Sequence, residues 1–146
     1  KGPDIFLDIV LKLNQELKNV CIVLAGKNRN YLIDNFEKNK IKYKYFEMPD
    51  SKTINDLYNI LDLYIVSSRI EGGPQAIIEA AFTKTPIVST DVGVASEILS
   101  PESIFRIDNF NNPKPNVDFA FDRSREFIIP TGMKKFRRLL EDLNES

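Results

Sequence analysis

The sequence predicts an α/β fold in which a parallel sheet is wrapped by helices on both faces. Short apolar runs alternate with amphipathic segments along most of the chain. Parallel strands require crossover connections, which are usually helices, so this alternation favours one parallel sheet. The 146 residues, of which 42% are hydrophobic and 10% aromatic, have the size and composition of one globular domain.

The first sixty residues predict three helices and two strands. Apolar residues recur at helical spacing from Phe6 to Leu17, and Pro3 suits the first turn of that helix. Residues 20–25 are a continuous apolar run, as expected of a strand covered on both faces. Thr53 and Asp56 resemble a capping box at the start of the third helix. The elements between them are a helix over 31–39 and a strand over 43–48.

The remaining strands are shorter and lead to a connector. The predicted elements are strands over 63–66, 86–89 and 103–107, with helices over 74–82 and 94–99 between them. Residues 109–116 contain two prolines and four asparagines, which is typical of a connector. A last helix is predicted over 133–143, with Phe136, Leu139, Leu140 and Leu143 on one face. Ligands of such sheets bind at the carboxyl ends of the strands, here the loops 26–30, 49–51, 67–73 and 90–93.

Composition excludes several classes of protein. Lys and Arg number 20 against 21 Asp and Glu, so no strong positive field favours nucleic acid as a partner. The single cysteine, Cys21, rules out an internal disulfide and is expected to be a buried thiol in a reducing compartment. One cysteine and no histidine argue against a zinc site. With no apolar stretch near ~20 residues and no signal peptide at its start, the chain is expected to be cytoplasmic.

The stretch from Ser67 to Ala81 is the strongest candidate for a site. It follows a predicted strand, and Gly72 and Gly73 allow a tight turn and close backbone approach. A helix starting at Pro74 would point its free amides and positive dipole end into the cleft, which favours a phosphate. Since proline has no N–H, Gln75 and Ala76 would be the main donors.

The two acidic residues of this stretch could also be ordinary surface charges. Gln75, Glu79 and Thr83 are four residues apart, so Glu79 lies on a polar helical stripe that is also typical of solvated surface. Glu71 lies beside Arg69 in a loop and equally suits a surface charge. Spacing alone leaves both readings open.

A resemblance to a known family adds to this reading. Glu71-Gly72-Gly73-Pro74, Glu79-Ala80-Ala81, the run 86–93 and Glu97-Ile98 together resemble the C-terminal, nucleotide-sugar-binding half of GT-B glycosyltransferases in glycosyltransferase family 4. The resemblance covers residues 1 to about 107. It implies a Rossmann-like donor domain over 1–108, followed by a connector and C-terminal helix over 109–146 that pack on the same domain.

The resemblance also implies a role for each matching residue. Glu71 would be the catalytic residue, orienting the donor sugar or stabilising charge at its anomeric carbon. Lys1 would neutralise the diphosphate. Glu79 would accept hydrogen bonds from the ribose hydroxyls, while Gly72, Gly73, Gln75 and Ala76 would offer backbone groups to the sugar and diphosphate. No metal or other cofactor is expected, because a lysine and a helix N-terminus can stabilise the leaving group.

The implied enzyme is a hexosyltransferase-like protein of polysaccharide or other carbohydrate biosynthesis that retains anomeric configuration. Its sugar, glycan or lipid-linked acceptor would be bound mainly by an N-terminal domain, so this part alone is expected to be inactive. The family's arginine and the sheet's first strand are expected upstream of Lys1. The triplet Gly72-Gly73-Pro74 departs from the family's usual Gly-Phe-Gly, and the base and donor sugar cannot be read from the sequence.

Three alternatives remain open. One is a non-catalytic nucleotide-sugar-binding module, and another is a flavodoxin-like interaction scaffold, which the sequence 24–27 does not favour. The third concerns the last helix, whose basic residues are compatible with peripheral contact to an anionic membrane. Its acidic neighbours favour a solvated helix instead. The basic residues are Lys134, Lys135, Arg137 and Arg138.

Overall fold

The computed structural model describes residues 1–17, 19–73, 75–110 and 112–144. Helices and parallel strands alternate along these ranges, so the predicted α/β class is confirmed. The first elements are α1 (Pro3–Glu16), β1 (Cys21–Ala25), α2 (Asn30–Lys38), β2 (Lys42–Phe46) and α3 (Ser51–Ile60). The next are β3 (Tyr64–Val66), α4 (Gln75–Phe82), β4 (Ile87–Thr90), α5 (Ala95–Ile98) and, after a 3₁₀ turn over Pro101–Ser103, β5 (Ile104–Phe105). The last are α6 (Val117–Ser124) and α7 (Thr131–Asn144).

Over the described ranges the strands form two parallel sheets rather than one. β1 pairs with β2 along its whole length, from Cys21 opposite Lys42 to Ala25 opposite Phe46. β4 lies between β3 and β5 in the second sheet. We call the space between β1 and β3 the slot. One more parallel strand in the slot would join the two sheets in the strand order of doubly wound folds. The first strand that was expected upstream of Lys1 would fit there, and it stays a prediction.

Helices cover both faces of the second sheet. Ile5 and Ile9 of α1 pack on one face with Val88 and Phe105. The opposite face packs on α3, α4 and α5, with Ile77 fully buried at its centre. Other residues of α1 pack with β1 and α2 in a separate cluster, so α1 contacts both sheets.

Cys21 is exposed, which corrects the expectation of a buried thiol in a strand covered on both faces. Of the five residues of β1 only Leu24 is buried, at 5% exposure. The physical reason is that β1, among the strands that the structure describes, has a neighbour on one edge only and lines the slot along its whole length. An apolar run predicts a strand but does not report whether both of its edges are paired.

The start of α3 differs from the predicted capping box. Asp50 is the N-cap, and its Oδ1 accepts the backbone N–H of Thr53 at 2.7 Å. Thr53 therefore lies inside the first turn, as the partner of the cap rather than the cap itself. The prediction failed because an Asp three residues before a Thr fits the N-cap pattern as well as a Thr three residues before an Asp.

A helix that the sequence did not predict follows the connector. α6 begins after Asn116, whose Oδ1 accepts the N–H of Phe119 at 3.2 Å, and packs against α4 and α5. In α7, Leu140 is 48% exposed and Arg137 forms an ion pair with Glu141 at 2.7 Å. The side chains of Lys135, Phe136, Leu139 and Leu143 lie outside the described residues. Over the described ranges no helix combines the length and apolar character needed to cross a membrane.

Candidate functional site

The loop after β3 is held against the N-terminal residues of the chain. The buried hydroxyl of Ser67 donates to the carbonyl of Gly2 at 2.9 Å. Arg69 forms a two-pronged ion pair with Asp4, with Nη1 at 2.8 Å from Oδ1. This pairing holds the pKa of Asp4 well below its usual range. The carboxyl end of β3 and the start of α1 are therefore joined through side-chain contacts.

Lys1 and Glu71 meet at this junction although 70 positions separate them. The ammonium of Lys1 contacts Oε1 of Glu71, and the hydroxyl of Ser68 donates to the same oxygen at 2.8 Å. The hydrogen bond from Lys1 is the main reason why the pKa of Glu71 lies below its ordinary value, and Ser68 adds to it. Glu71 has 18% of its side chain exposed against 73% for Lys1, so the cation is the more accessible partner.

The glycine pair and the start of α4 lie beside this ion pair. Gly72 and Gly73 are exposed, neither has a positive φ, and a Cβ at either position would meet nothing within 4 Å. They therefore leave open space near Glu71. Gln75 is the first described residue of α4, and Ala76 follows it; Pro74, the predicted first helical residue, lies outside the described residues.

Glu79 lies half-buried on α4 and is not a freely solvated charge. The hydroxyl of Tyr58 on α3 donates to its Oε2 at 3.3 Å. The ring of Tyr58 in turn meets that of Tyr64 edge to face, with 5.5 Å between centroids. Burial is the main cause of the raised pKa of Tyr58, so its phenol is protonated and can donate.

Two cavities adjoin these residues. The larger, about 790 Å³, is the slot, and its rim at the carboxyl ends of the strands carries Lys1, Glu71 and Gly73 together with Gln75 and Ala76. The smaller, about 470 Å³, lies between the ends of β1 and β2 and the side chains of α3, with Met48 in its lining. Tyr58 and Tyr64 line both cavities.

The structure thus brings together five of the seven predicted site residues. Among the described residues that line the two cavities, Gly72 and Glu79 do not appear; Glu79 is reached through Tyr58. Sequence reasoning missed Ser68 and Tyr58. Tyr58 and Glu79 are 21 residues apart on different helices, so no local spacing could have indicated their contact. In the described part of the chain, no three His, Cys, Asp or Glu side chains come together as a metal site.

Lys27 is the cation of the β1 loop that lines both cavities. Arg29, in the same loop, bonds to the backbone at the end of β1. The guanidinium of Arg29 donates to the carbonyl of Ala25 through Nε at 3.0 Å and Nη2 at 2.7 Å. Arg29 thereby closes the turn after β1, where Gly26 adopts a φ of 90°.

Comparisons with known proteins agree with this architecture. Over 107 residues the chain is 28% identical to the lipopolysaccharide core biosynthesis mannosyltransferase LpsB of Rhizobium meliloti (strain 1021). That match covers 68% of this chain but only 30% of the relative, so the chain spans less than a third of that protein's length.

A solved structure shows the same fold. The catalytic domain of cholesterol-alpha-glucosyltransferase from Helicobacter pylori superimposes with a TM-score of 0.61, at 16% identity, over 100% of this chain and 91% of that one. At this identity the likeness concerns the fold alone, and it agrees with the predicted Rossmann-like half of a GT-B protein. The family model described as glycosyl transferases group 1 matches residues 1–118. The chain therefore belongs to the group 1 glycosyl transferases.

Proposed function

We propose that this chain is the C-terminal, donor-binding part of a family 4 glycosyltransferase and binds a nucleoside diphosphate sugar at the carboxyl ends of β1 and β3. The observation that carries the proposal is the Lys1–Glu71 pair, which lies at the rim of the larger cavity beside the start of α4. A cation, a carboxylate and a helix N-terminus at one point suit a ligand with both an anionic diphosphate and hydroxyl groups.

Donor binding would exchange the partner of Lys1. The ammonium of Lys1 is largely exposed and can turn from Glu71 to the diphosphate. Glu71, still held by Ser68, would then have an oxygen free to hold the sugar hydroxyls or to face the positive charge that develops at the anomeric carbon. Charge on the departing diphosphate would be stabilised by Lys1 and by the amides at Gln75 and Ala76.

The nucleoside would extend from the diphosphate toward α3. Glu79 would accept hydrogen bonds from the ribose hydroxyls, and the smaller cavity beside Tyr58 would take the base. Met48, Ile54 and the two tyrosine rings give this cavity the apolar and aromatic surface that a base stacks on.

The remaining features of the proposed enzyme rest on the family. Transfer would retain anomeric configuration and serve carbohydrate biosynthesis in the cytoplasm, without a metal and without nucleic acid as a partner. The glycan, sugar or lipid-linked acceptor would bind mainly to a separate N-terminal domain, so this part alone would be inactive. The membership of group 1 supports this view over the flavodoxin-like alternative. A protein that binds a donor but transfers no sugar would instead be a non-catalytic module.

Glu79→Ala is expected to weaken nucleotide binding by about 1.5–3 kcal/mol, because charge-assisted hydrogen bonds to the ribose are lost. Calorimetric titration of the intact protein with UDP, GDP and ADP, each with and without an attached sugar, identifies the preferred base and measures the loss. The melting temperature should change little, since Glu79 is half-buried and not in the core.

Glu37→Ala is the matched control for this variant. Glu37 also accepts a hydrogen bond from a tyrosine, Tyr43, at 3.0 Å, but on α2 rather than at the cavity. It should leave nucleotide affinity unchanged. If Glu79→Ala binds as tightly as Glu37→Ala, the carboxylate belongs to the surface and the ribose assignment is wrong. If the intact wild-type protein binds no nucleotide at millimolar concentration, the donor-binding proposal itself fails.

Nucleotide affinity of the intact protein is expected to be the same in buffer with a chelator as in buffer with added Mg²⁺. The physical reason is that Lys1 and the N-terminus of α4 would carry the stabilisation that a divalent cation otherwise supplies. Titration in the two buffers, at equal ionic strength, measures this. A loss of affinity in chelator that Mg²⁺ or Mn²⁺ restores would contradict a metal-free site.

A further inference from the structure

The contact between Tyr58 and Glu79 belongs to a closed circuit of hydrogen bonds between α3 and the end of α4. The carbonyl of Tyr58 accepts the buried hydroxyl of Thr85 at 2.8 Å. Because the single proton of that hydroxyl goes to Tyr58, the hydroxyl of Thr83 is the donor in the 2.8 Å contact between Thr83 and Thr85. The backbone N–H of Thr83 in turn donates to the carbonyl of Glu79 at 3.1 Å. Hydrogen bonds therefore connect both the backbone and the hydroxyl of Tyr58 to the helix that carries Glu79.

The ring of Tyr58 has little freedom to leave this position. The residue is 8% exposed and packs in the core with Ile77 and Ala80. Tyr64 meets the ring edge to face at an interplanar angle of 88°. A side chain fixed at its backbone, ring and hydroxyl is well suited to fix the rotamer of a longer and more flexible neighbour such as glutamate.

The hydrogen bond uses only part of the carboxylate. A carboxylate has about four lone-pair sites on two oxygens, and Tyr58 occupies one of them, on Oε2. Over the ranges that the structure describes, no hydrogen bond to Oε1 of Glu79 is recorded. The contact therefore orients Glu79 and leaves acceptor sites for a ligand.

We propose that Tyr58 is a positioning residue, which holds Glu79 in the orientation that accepts the two hydroxyl groups of a ligand's ribose. This inference rests on the proposed role of Glu79 in donor binding. Tyr58 acts on affinity through Glu79 and does not itself bond to the ribose. The contribution of Tyr58 is therefore specific to ligands that carry the hydroxyls.

Tyr58→Phe tests the inference, because it removes the hydroxyl and keeps the ring that packs in the core. The measured quantity is the ratio of affinities of the intact protein for a ribonucleotide and its 2′-deoxy counterpart. UDP, GDP and ADP are each compared with dUDP, dGDP and dADP by calorimetry. We expect Tyr58→Phe to lower this ratio about three- to tenfold, the loss typical of one hydrogen bond. The affinity for the deoxynucleotide, which keeps only the 3′-hydroxyl for Glu79, should change less.

Two further variants make the result specific. Tyr43→Phe removes a hydroxyl that donates to Glu37, the same kind of contact at a different place, and should leave the ratio unchanged. In Glu79→Ala the ratio should fall further, and adding Tyr58→Phe to it should change nothing more. If Tyr58→Phe does not fold, Thr85→Val serves instead, because it removes the hydrogen bond to the carbonyl of Tyr58. This variant should also lower the ratio of affinities.

The possible outcomes separate the two proposals. Equal weakening of both nucleotides by Tyr58→Phe would make Tyr58 a purely structural residue, and an unchanged ratio would also overturn its positioning role. If the wild-type protein binds ribonucleotides and deoxynucleotides equally, the ribose role of Glu79 fails first. Wild-type discrimination that Glu79→Ala abolishes and Tyr58→Phe preserves would retain the function and reject only the role of Tyr58.

Discussion

Glu71→Gln is expected to lower the rate of sugar transfer by about 10²–10³-fold, the loss typical of removing one preorganised electrostatic group from a transition state. Glutamine keeps the shape of the side chain and an oxygen that Ser68 can donate to. It lacks the charge that would face the anomeric carbon and that pairs with Lys1 in the absence of ligand. The measurement is kcat of the intact protein with its donor and acceptor.

Nucleotide affinity distinguishes this effect from damage to the site. Since Glu71 would contact the sugar rather than the nucleotide, Glu71→Gln should bind the free nucleoside diphosphate at least as tightly as wild type, because Lys1 no longer has a competing partner. Glu102→Gln changes an exposed carboxylate that Asn116 contacts at 3.2 Å near the start of β5, and should leave both quantities unaltered. A variant that transfers sugar at the wild-type rate would remove Glu71 from the mechanism.

Gly2→Ala is expected to lower the free energy of unfolding by about 2–4 kcal/mol, in the range of severe overpacking. A Cβ at Gly2 would lie 2.1 Å from the carbonyl oxygen of Ser67 and 2.9 Å from Cδ1 of Ile5. Ile5 can adjust, but the Ser67 oxygen is backbone, so the two chain segments must separate. Separation would also break the buried hydrogen bond from Ser67 to the Gly2 carbonyl. Urea unfolding of the intact protein, followed by circular dichroism, measures the change.

Gly72→Ala and Gly73→Ala are matched controls, because a Cβ at either position meets nothing within 4 Å. Each should change stability by no more than about 0.5 kcal/mol. In Gly2→Ala the loss of stability should be accompanied by weaker nucleotide binding, since Lys1 is carried by the same segment as Gly2. Equal stability of the Gly2 and Gly72 variants would show that the segments separate at no cost and that the close approach is unimportant.

The alternation of elements could be predicted because it is local. Amphipathic spacing in α1 and the apolar run of β1 are properties of neighbouring residues, and the structure places both elements within a few positions of the prediction. Two failures involve ambiguous local signals. Either Asp50 or Thr53 could be the N-cap of α3 by its spacing from the next polar residue. The short α6 follows a proline-rich stretch, which is typical of a connector and gave no sign that a helix begins after it.

The candidate site could be predicted only in part, because its contacts are not local. On spacing alone, Glu71 and Glu79 could equally be surface charges, and only the family resemblance assigned Lys1 to the site. The structure adds the contacts themselves. Glu71 meets Lys1 across the sheet edge, and Glu79 meets Tyr58 between two helices. The exposure of Cys21 likewise depends on what stands beside β1 in space, which no run of apolar residues reports.

The packing of α1 against both sheets has a consequence for how cooperatively the chain unfolds. No ladder hydrogen bond joins the two sheets in the described ranges, and each sheet has its own apolar cluster. α1 is shared, since Leu7 and Val10 belong to the cluster of β1 while Ile5 and Ile9 pack against β4 and β5. α1 therefore joins the two clusters, and undocking of α1 would expose both of them. The segment Lys1 to Asp4, which carries part of the candidate site, lies at the start of α1, so ligand binding there would stabilise the packing of both clusters at once.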